Sequence, residues 1–94
     1  MIKSFKNAET EAAFEGETRK GFPADLLKIT RRKLQMIAAA SVLTDLKVPP
    51  GNRLEALKGD LAGYHSIRIN DQWRIVFQWR EGAAHKVRIA DYHR

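Results

Sequence analysis

Asp91, Tyr92 and His93 stand side by side at the end of what reads as the last strand of this sequence. A carboxylate, a phenol and an imidazole can accept, orient or donate a proton, and the imidazole titrates near neutrality. The strand that carries them runs beside the strand that holds Arg74, and Glu55 and Lys58 belong to the strand and loop before both. Together these residues supply cations for a phosphate and groups for moving protons. They do not form a metal-ligand set, because the sequence has no cysteine and its three histidines are scattered. The inventory suits metal-free cleavage of RNA. In that reaction the ribose 2′-OH attacks the neighbouring phosphorus, a base takes its proton, cations hold the developing charge and an acid protonates the departing 5′ oxygen. DNA lacks the hydroxyl and does not react this way.

Positioning these groups needs a scaffold, and the hydrophobic pattern predicts one. Residues 2 to 5, Ile-Lys-Ser-Phe, alternate as a short first strand, and Asn7 caps a short helix ending near Gly16. The main helix runs from Pro23 to about Ala40, with Leu27, Thr30, Leu34 and Ile37 on one face and Lys28, Arg32 and Gln35 opposite. A helical turn over Val42 to Leu46 is stopped by Val48-Pro49-Pro50-Gly51-Asn52. The period then changes to two: a strand over Arg53 to Leu57, then strands near 64 to 70, 73 to 79 and 85 to 93. Helices followed by a meander predict an α+β fold, with the N-terminal helices packed on one face of an antiparallel sheet.

Requiring one sheet face to be apolar sets the register. A three-residue connection, Asn70 to Gln72, opposes Ile67 to Ile75 and Ile69 to Trp73. A five-residue loop, Arg80 to Ala84, opposes Phe77 to Val87 and Ile75 to Ile89. Trp73 and Trp79 then have core parity, and His65 and His85 fill strand positions with no site role. The other face carries Ser66, Arg68, Arg74, Val76, Gln78, Lys86, Arg88, Ala90 and Tyr92. Arg68 beside Arg74 is unfavourable without an anion between or above them, so Arg68, Lys86 and Arg88 are candidate phosphate-binding residues. Lys28, Arg31, Arg32 and Lys33 read as a solvated basic helix stretch, with contact to ribosomal RNA as the alternative.

Size and charge narrow the classes. The 94 residues form a single domain, 1–94, with no linker, and no stretch is long and apolar enough to span a bilayer. A cytoplasmic protein without a membrane partner is expected. Seventeen Lys and Arg against eleven Asp and Glu give a net charge of +6 and favour a polyanionic partner. The excess is not a tail: residues 1 to 49 hold nine basic and six acidic groups, and residues 50 to 94 hold eight and five.

The run GNRLEALKGDLAGYHSIRINDQWRIVF, with the terminal DYH, resembles the HigB-type killer proteins of the RelE/ParE toxin superfamily. The likeness extends from MIKSF to DYH, nearly the whole chain. The resemblance implies a RelE-like fold and a ribosome-dependent mRNA endonuclease that enters the A site, touches ribosomal RNA, needs no cofactor and is restrained by a helix-turn-helix antitoxin of the HigA type. Carried over by position, the functional residues are Lys58, Arg74, Asp91, Tyr92 and His93, with Glu55 where some members have histidine. Two rivals remain open: a non-catalytic ParE-like toxin that inhibits DNA gyrase, and a basic RNA-binding module that leaves RNA intact.

Overall fold

Asn7 does cap the first helix. Its Oδ1 accepts the backbone N–H of Thr10 at 3.0 Å, and α1 follows over Ala8–Phe14. In the computed structural model, which describes residues 1–91, one further helix and four strands follow: α2 Leu27–Ala39, β1 Glu55–Ala56, β2 Tyr64–Arg68, β3 Trp73–Arg80 and β4 Ala83–Asp91. A 3-10 turn over Ala24–Leu26, just after Pro23, leads into α2. Thr30, Leu34 and Ile37 are buried on the predicted face of α2, while Lys28, Arg32 and Gln35 are exposed. Among the described residues no helix is long and apolar enough to cross a membrane.

Lys33 departs from its expected place in a solvated basic stretch. It is only 8% exposed, and its ammonium donates to Oδ1 of the fully buried Asn52. The amide of Asn52 in turn donates to the carbonyls of Leu46 at 3.2 Å and Val48 at 3.4 Å. Helical periodicity registers apolar faces, and it carried no sign that an asparagine in the next connection would supply a buried acceptor. Burial, and then the charges of Arg32 and Arg68, push the Lys33 ammonium below the usual lysine range.

The sheet is antiparallel in the order β1-β2-β3-β4. The first connection matches its prediction: Ile67 lies opposite Ile75, and the Ile69 N–H donates to the Trp73 carbonyl at 2.9 Å. Asn70 builds that turn, since its Oδ1 accepts the N–H groups of Gln72 at 2.9 Å and Trp73 at 2.8 Å. The second connection is different. The expected five-residue loop is a two-residue turn, Glu81-Gly82, flanked by the pair Arg80 and Ala83. Both turn residues have positive φ, 52° and 76°, which gives the tight reversal that suits twisted strands.

That tighter turn shifts the register by one, and a bulge restores it. Gln78 opposes His85, yet Val76 opposes Arg88 and Ile75 opposes Ile89 as predicted. The extra residue is Lys86, left-handed at φ 54°. His85 therefore shares a face with Gln78, whereas strict alternation from Val87 and Ile89 would have turned it to the core. Ala84 occupies the core position and is fully buried.

Two further expectations are corrected at the sheet's margins. The strand predicted over Arg53 to Leu57 shrinks to Glu55–Ala56, because Arg53 is left-handed at φ 47° after the turn Pro50–Asn52. Residues 2 to 5 form no regular strand. They touch β4 through two isolated parallel bridges, Ile2 with Ala84 and Phe5 with Val87. Between these bridges the bulge interrupts the ladder, and the Lys86 N–H donates to Ser4 Oγ at 2.9 Å instead.

The core joins Ala13 of α1 and Leu34 and Ile37 of α2 to Leu46, Ile67, Ile75, Phe77, Ala84 and Val87. Removing this apolar surface from water is the main driving force for the fold. Trp73 and Trp79 are half-buried against the same cluster, in keeping with their parity, and Phe22 packs edge-on to Trp73 with ring centres 5.3 Å apart. The first turn of α1 is tied to the sheet, because the Ile89 N–H donates to Thr10 Oγ1 at 2.9 Å.

Candidate active site

β1 and the turn that follows it, Gly59–Leu61, border a cleft of about 480 Å³. Glu55, Lys58 and Leu61 line it together with Val76, Arg88, Ala90 and Asp91 from β3 and β4. Pairing explains why these residues meet: Glu55 opposes Ser66, Ser66 opposes Val76 and Val76 opposes Arg88, so one row crosses the whole sheet on one face. Glu55 and Lys58 are exposed, Arg88 is half-buried, and Val76 and Ala90 give the cleft an apolar floor. The cleft offers two carboxylates, Glu55 and Asp91, and two cations, Lys58 and Arg88, over apolar walls, a setting in which charge interactions with a phosphate strengthen.

Arg74 lies behind this cleft and is only 9% exposed. Its Nε donates to Ser66 Oγ and its Nη2 to the Arg53 carbonyl, both at 2.8 Å, and Nη2 stands 3.8 Å from Glu55 Oε1. The guanidinium thus fixes the backbone leading into β1 and steadies the carboxylate at the cleft's edge. Arg68 lies directly opposite Arg74, as predicted. The chain itself relieves this pairing, since each arginine has acceptors of its own. Arg68 pairs with Asp71 in the adjacent turn, away from the cleft lining.

Asp91 lines the cleft although it opposes Trp73, and its Oδ2 accepts Gln72 Nε2 at 3.2 Å. Tyr92 and His93 lie outside the described residues. The fold therefore brings Glu55, Lys58, Arg88 and Asp91 to one cleft with Arg74 beneath them; Arg68 stands apart, and Lys86 lies on an adjoining surface. Sequence reasoning missed the support from Ser66 to Arg74, although Ser66 has the right parity. It also missed the Gln72 contact to Asp91, for which the period-two pattern holds no signal. His65 stacks on Phe77 with ring centres 6.2 Å apart, its Nδ1 is buried without a hydrogen-bond partner among the described residues, and burial pushes its pKa down.

Comparison with known proteins identifies the family. The family described as the RelE-like toxin of type II toxin-antitoxin system HigB matches residues 3–93. Toxin HigB-1 of Vibrio cholerae is 41% identical over 85 residues, covering 89% of this chain and 90% of that protein. Endoribonuclease HigB of Proteus vulgaris is 38% identical over 93 residues, covering 99% of this chain and all of that protein. Among solved structures, the fold is similar to that in a YoeB-YefM complex from Staphylococcus aureus, with a TM-score of 0.60, 20% identity and coverage of 100% and 99%. It is similar also to a YafQ variant from E. coli, with a TM-score of 0.62, 11% identity and coverage of 97% and 93%. With its α+β fold and a match across nearly all of its length, the chain belongs to the HigB-like, RelE-related toxin family of type II toxin-antitoxin systems.

Proposed function

We propose that this toxin is an endoribonuclease that cuts mRNA in the ribosomal A site and so halts translation, with residues 1–94 acting as one domain. The observation that carries the reading is the cleft itself, where Glu55, Lys58, Arg88 and Asp91 converge over the anchored Arg74. In this reading the helices take one face of the sheet and leave the other to the substrate. A relative similar across the full chain is named an endoribonuclease, which supports the same chemistry.

In the proposed reaction the ribose 2′ oxygen forms a bond to phosphorus while the bond from phosphorus to the 5′ oxygen breaks. The products are a 2′,3′-cyclic phosphate and a free 5′-hydroxyl. Glu55 or His93 takes the 2′ proton, and the acid that protonates the leaving oxygen comes from His93 or Lys58. Lys58 and Arg88 balance charge on the phosphorane, Arg74 adds its charge from beneath and holds Glu55, Asp91 orients its neighbours, and Tyr92 stacks on or aligns the substrate. A cognate antitoxin, as a type II system carries, restrains the enzyme, and the HigB likeness implies that it is of the helix-turn-helix type.

Primer extension on an mRNA incubated with purified toxin, with and without translating ribosomes, tests the reading. A Lys58→Met variant serves as control, its folding checked by circular dichroism. Ribosome-dependent cuts that disappear in the folded variant are expected. Intact message under every condition, from a toxin that still arrests growth, would refute RNA cleavage and favour a gyrase target.

A further inference from the structure

A second cleft, of about 430 Å³, adjoins the first and is lined by Lys6, Asn7, Leu61, Tyr64, Lys86 and Arg88. Leu61 and Arg88 line both clefts, so the two are consecutive along the sheet face. Three of the six residues are cations and none is acidic. Tyr64 opposes Gln78, one row along from the row of Ser66, Val76 and Arg88, and so shares their face. A positive groove with an aromatic ring is the arrangement by which proteins hold single-stranded nucleic acid.

The backbone supplies an independent observation. Lys86 adopts φ 54°, a conformation that suits glycine or asparagine better than lysine, and it does so as the extra residue of the β4 bulge. Its N–H is anchored on Ser4 Oγ. Bulges re-aim side chains, and strain of this kind persists where the surrounding structure enforces it, often beside functional surfaces. Here the re-aimed side chain is a cation on the wall of the groove.

We infer that the second cleft is a subsite for the message strand next to the cut. Lys86 and Lys6 hold a phosphate adjacent to the scissile one, and Tyr64 stacks on an unpaired base. The inference rests on the reading of the toxin as an mRNA endonuclease, and it adds positioning residues to that reading. It accounts for a lysine, in place of glycine, at the bulge.

Lys86→Asn and Tyr64→Leu test it in the ribosome-dependent cleavage assay. Asparagine tolerates the left-handed backbone, so the thermal midpoint of Lys86→Asn should stay level or rise. Each variant should raise KM about tenfold with little change in kcat, as expected for lost ground-state binding. The salt slope of log KM should fall by about 0.7 in Lys86→Asn, the value for one fewer phosphate neutralised on a single strand. Messages with one neutral methylphosphonate linkage beside the cut identify the phosphate. At one position the neutral linkage should weaken wild type as much as Lys86→Asn does, and should add nothing in the variant. Additive losses at every position would overturn the message subsite and point to ribosomal RNA as the ligand of Lys86. Variants with wild-type KM and salt slope, beside a wild type that cuts, would overturn the inference alone. A wild type that cuts nothing would overturn the endonuclease reading and the subsite with it.

Discussion

Replacing Arg74 with methionine keeps a flexible side chain in a position only 9% exposed but removes the guanidinium that ties three elements together. Two hydrogen bonds of 2.8 Å disappear, one to Ser66 Oγ and one to the Arg53 carbonyl. Ser66 is fully buried, so water cannot take the vacated place, and an orphaned hydroxyl of this kind costs about 1–3 kcal/mol. Arg53 is exposed and its carbonyl rehydrates, adding little. Relief of the guanidinium's own burial offsets part of the loss, which leaves a net destabilisation of about 2 kcal/mol. For a chain of this size that lowers the thermal midpoint by roughly 8–16 °C. Ser66→Ala removes the orphan, so the double variant should recover at least about 1 kcal/mol relative to the sum of the singles. Urea and thermal denaturation of the four proteins closes the cycle. Additivity within about 0.5 kcal/mol would show that Ser66 is not the partner that matters and would refute Arg74 as the anchor beneath the cleft.

Lys58→Met and Glu55→Gln should each lower the cleavage rate by about 10²–10⁴, and because both residues are exposed, the denaturation midpoint should stay put; a parallel loss of stability would contradict their placement. Asn52→Ala strands the buried Lys33 ammonium and two carbonyls, and should destabilise by about 2–4 kcal/mol in chemical denaturation; a neutral result would break the proposed network. His65 should make stability depend on pH. Its folded pKa lies below the ordinary 6.5, so the unfolded chain binds the extra proton between the two values. The contribution is therefore complete above pH 6.5 and is lost as pH falls through the folded value. His65→Phe keeps a ring against Phe77 and should flatten that acid slope; an unchanged slope would assign it to other groups.

The meander was legible because its signal is local. Ile67, Ile69, Trp73 and Ile75 alternate without interruption, and Asn70 is a turn former in the right place, so one register satisfied both constraints. The second hairpin was not, because Glu81-Gly82 is compatible with several loop lengths and the bulge at Lys86 leaves no mark on the alternation of Val87 and Ile89. The cleft was legible in part. Resemblance and parity named Glu55, Lys58, Arg74, Arg88 and Asp91, but parity cannot tell a guanidinium that faces solvent from one drawn inward by Ser66. Lys33 shows the same limit, since its burial depends on an asparagine 19 residues away.

The bridges between residues 2 to 5 and β4 bear on when the toxin exists as well as on how it is built. Ser4 and Lys86 stand 82 residues apart in sequence, which at about 5–20 residues per second separates their synthesis by roughly 4–16 s. During that interval the opening segment has no strand to lie against. Arg88 and Asp91 are also translated after Glu55, Lys58 and Val76, the residues they must face. A nascent chain short of β4 has only the first three strands and lacks Arg88, Ala90 and Asp91 from the cleft lining. The order of synthesis thus makes assembly of the cleft wait for its last strand, however early the helices and the first three strands are made.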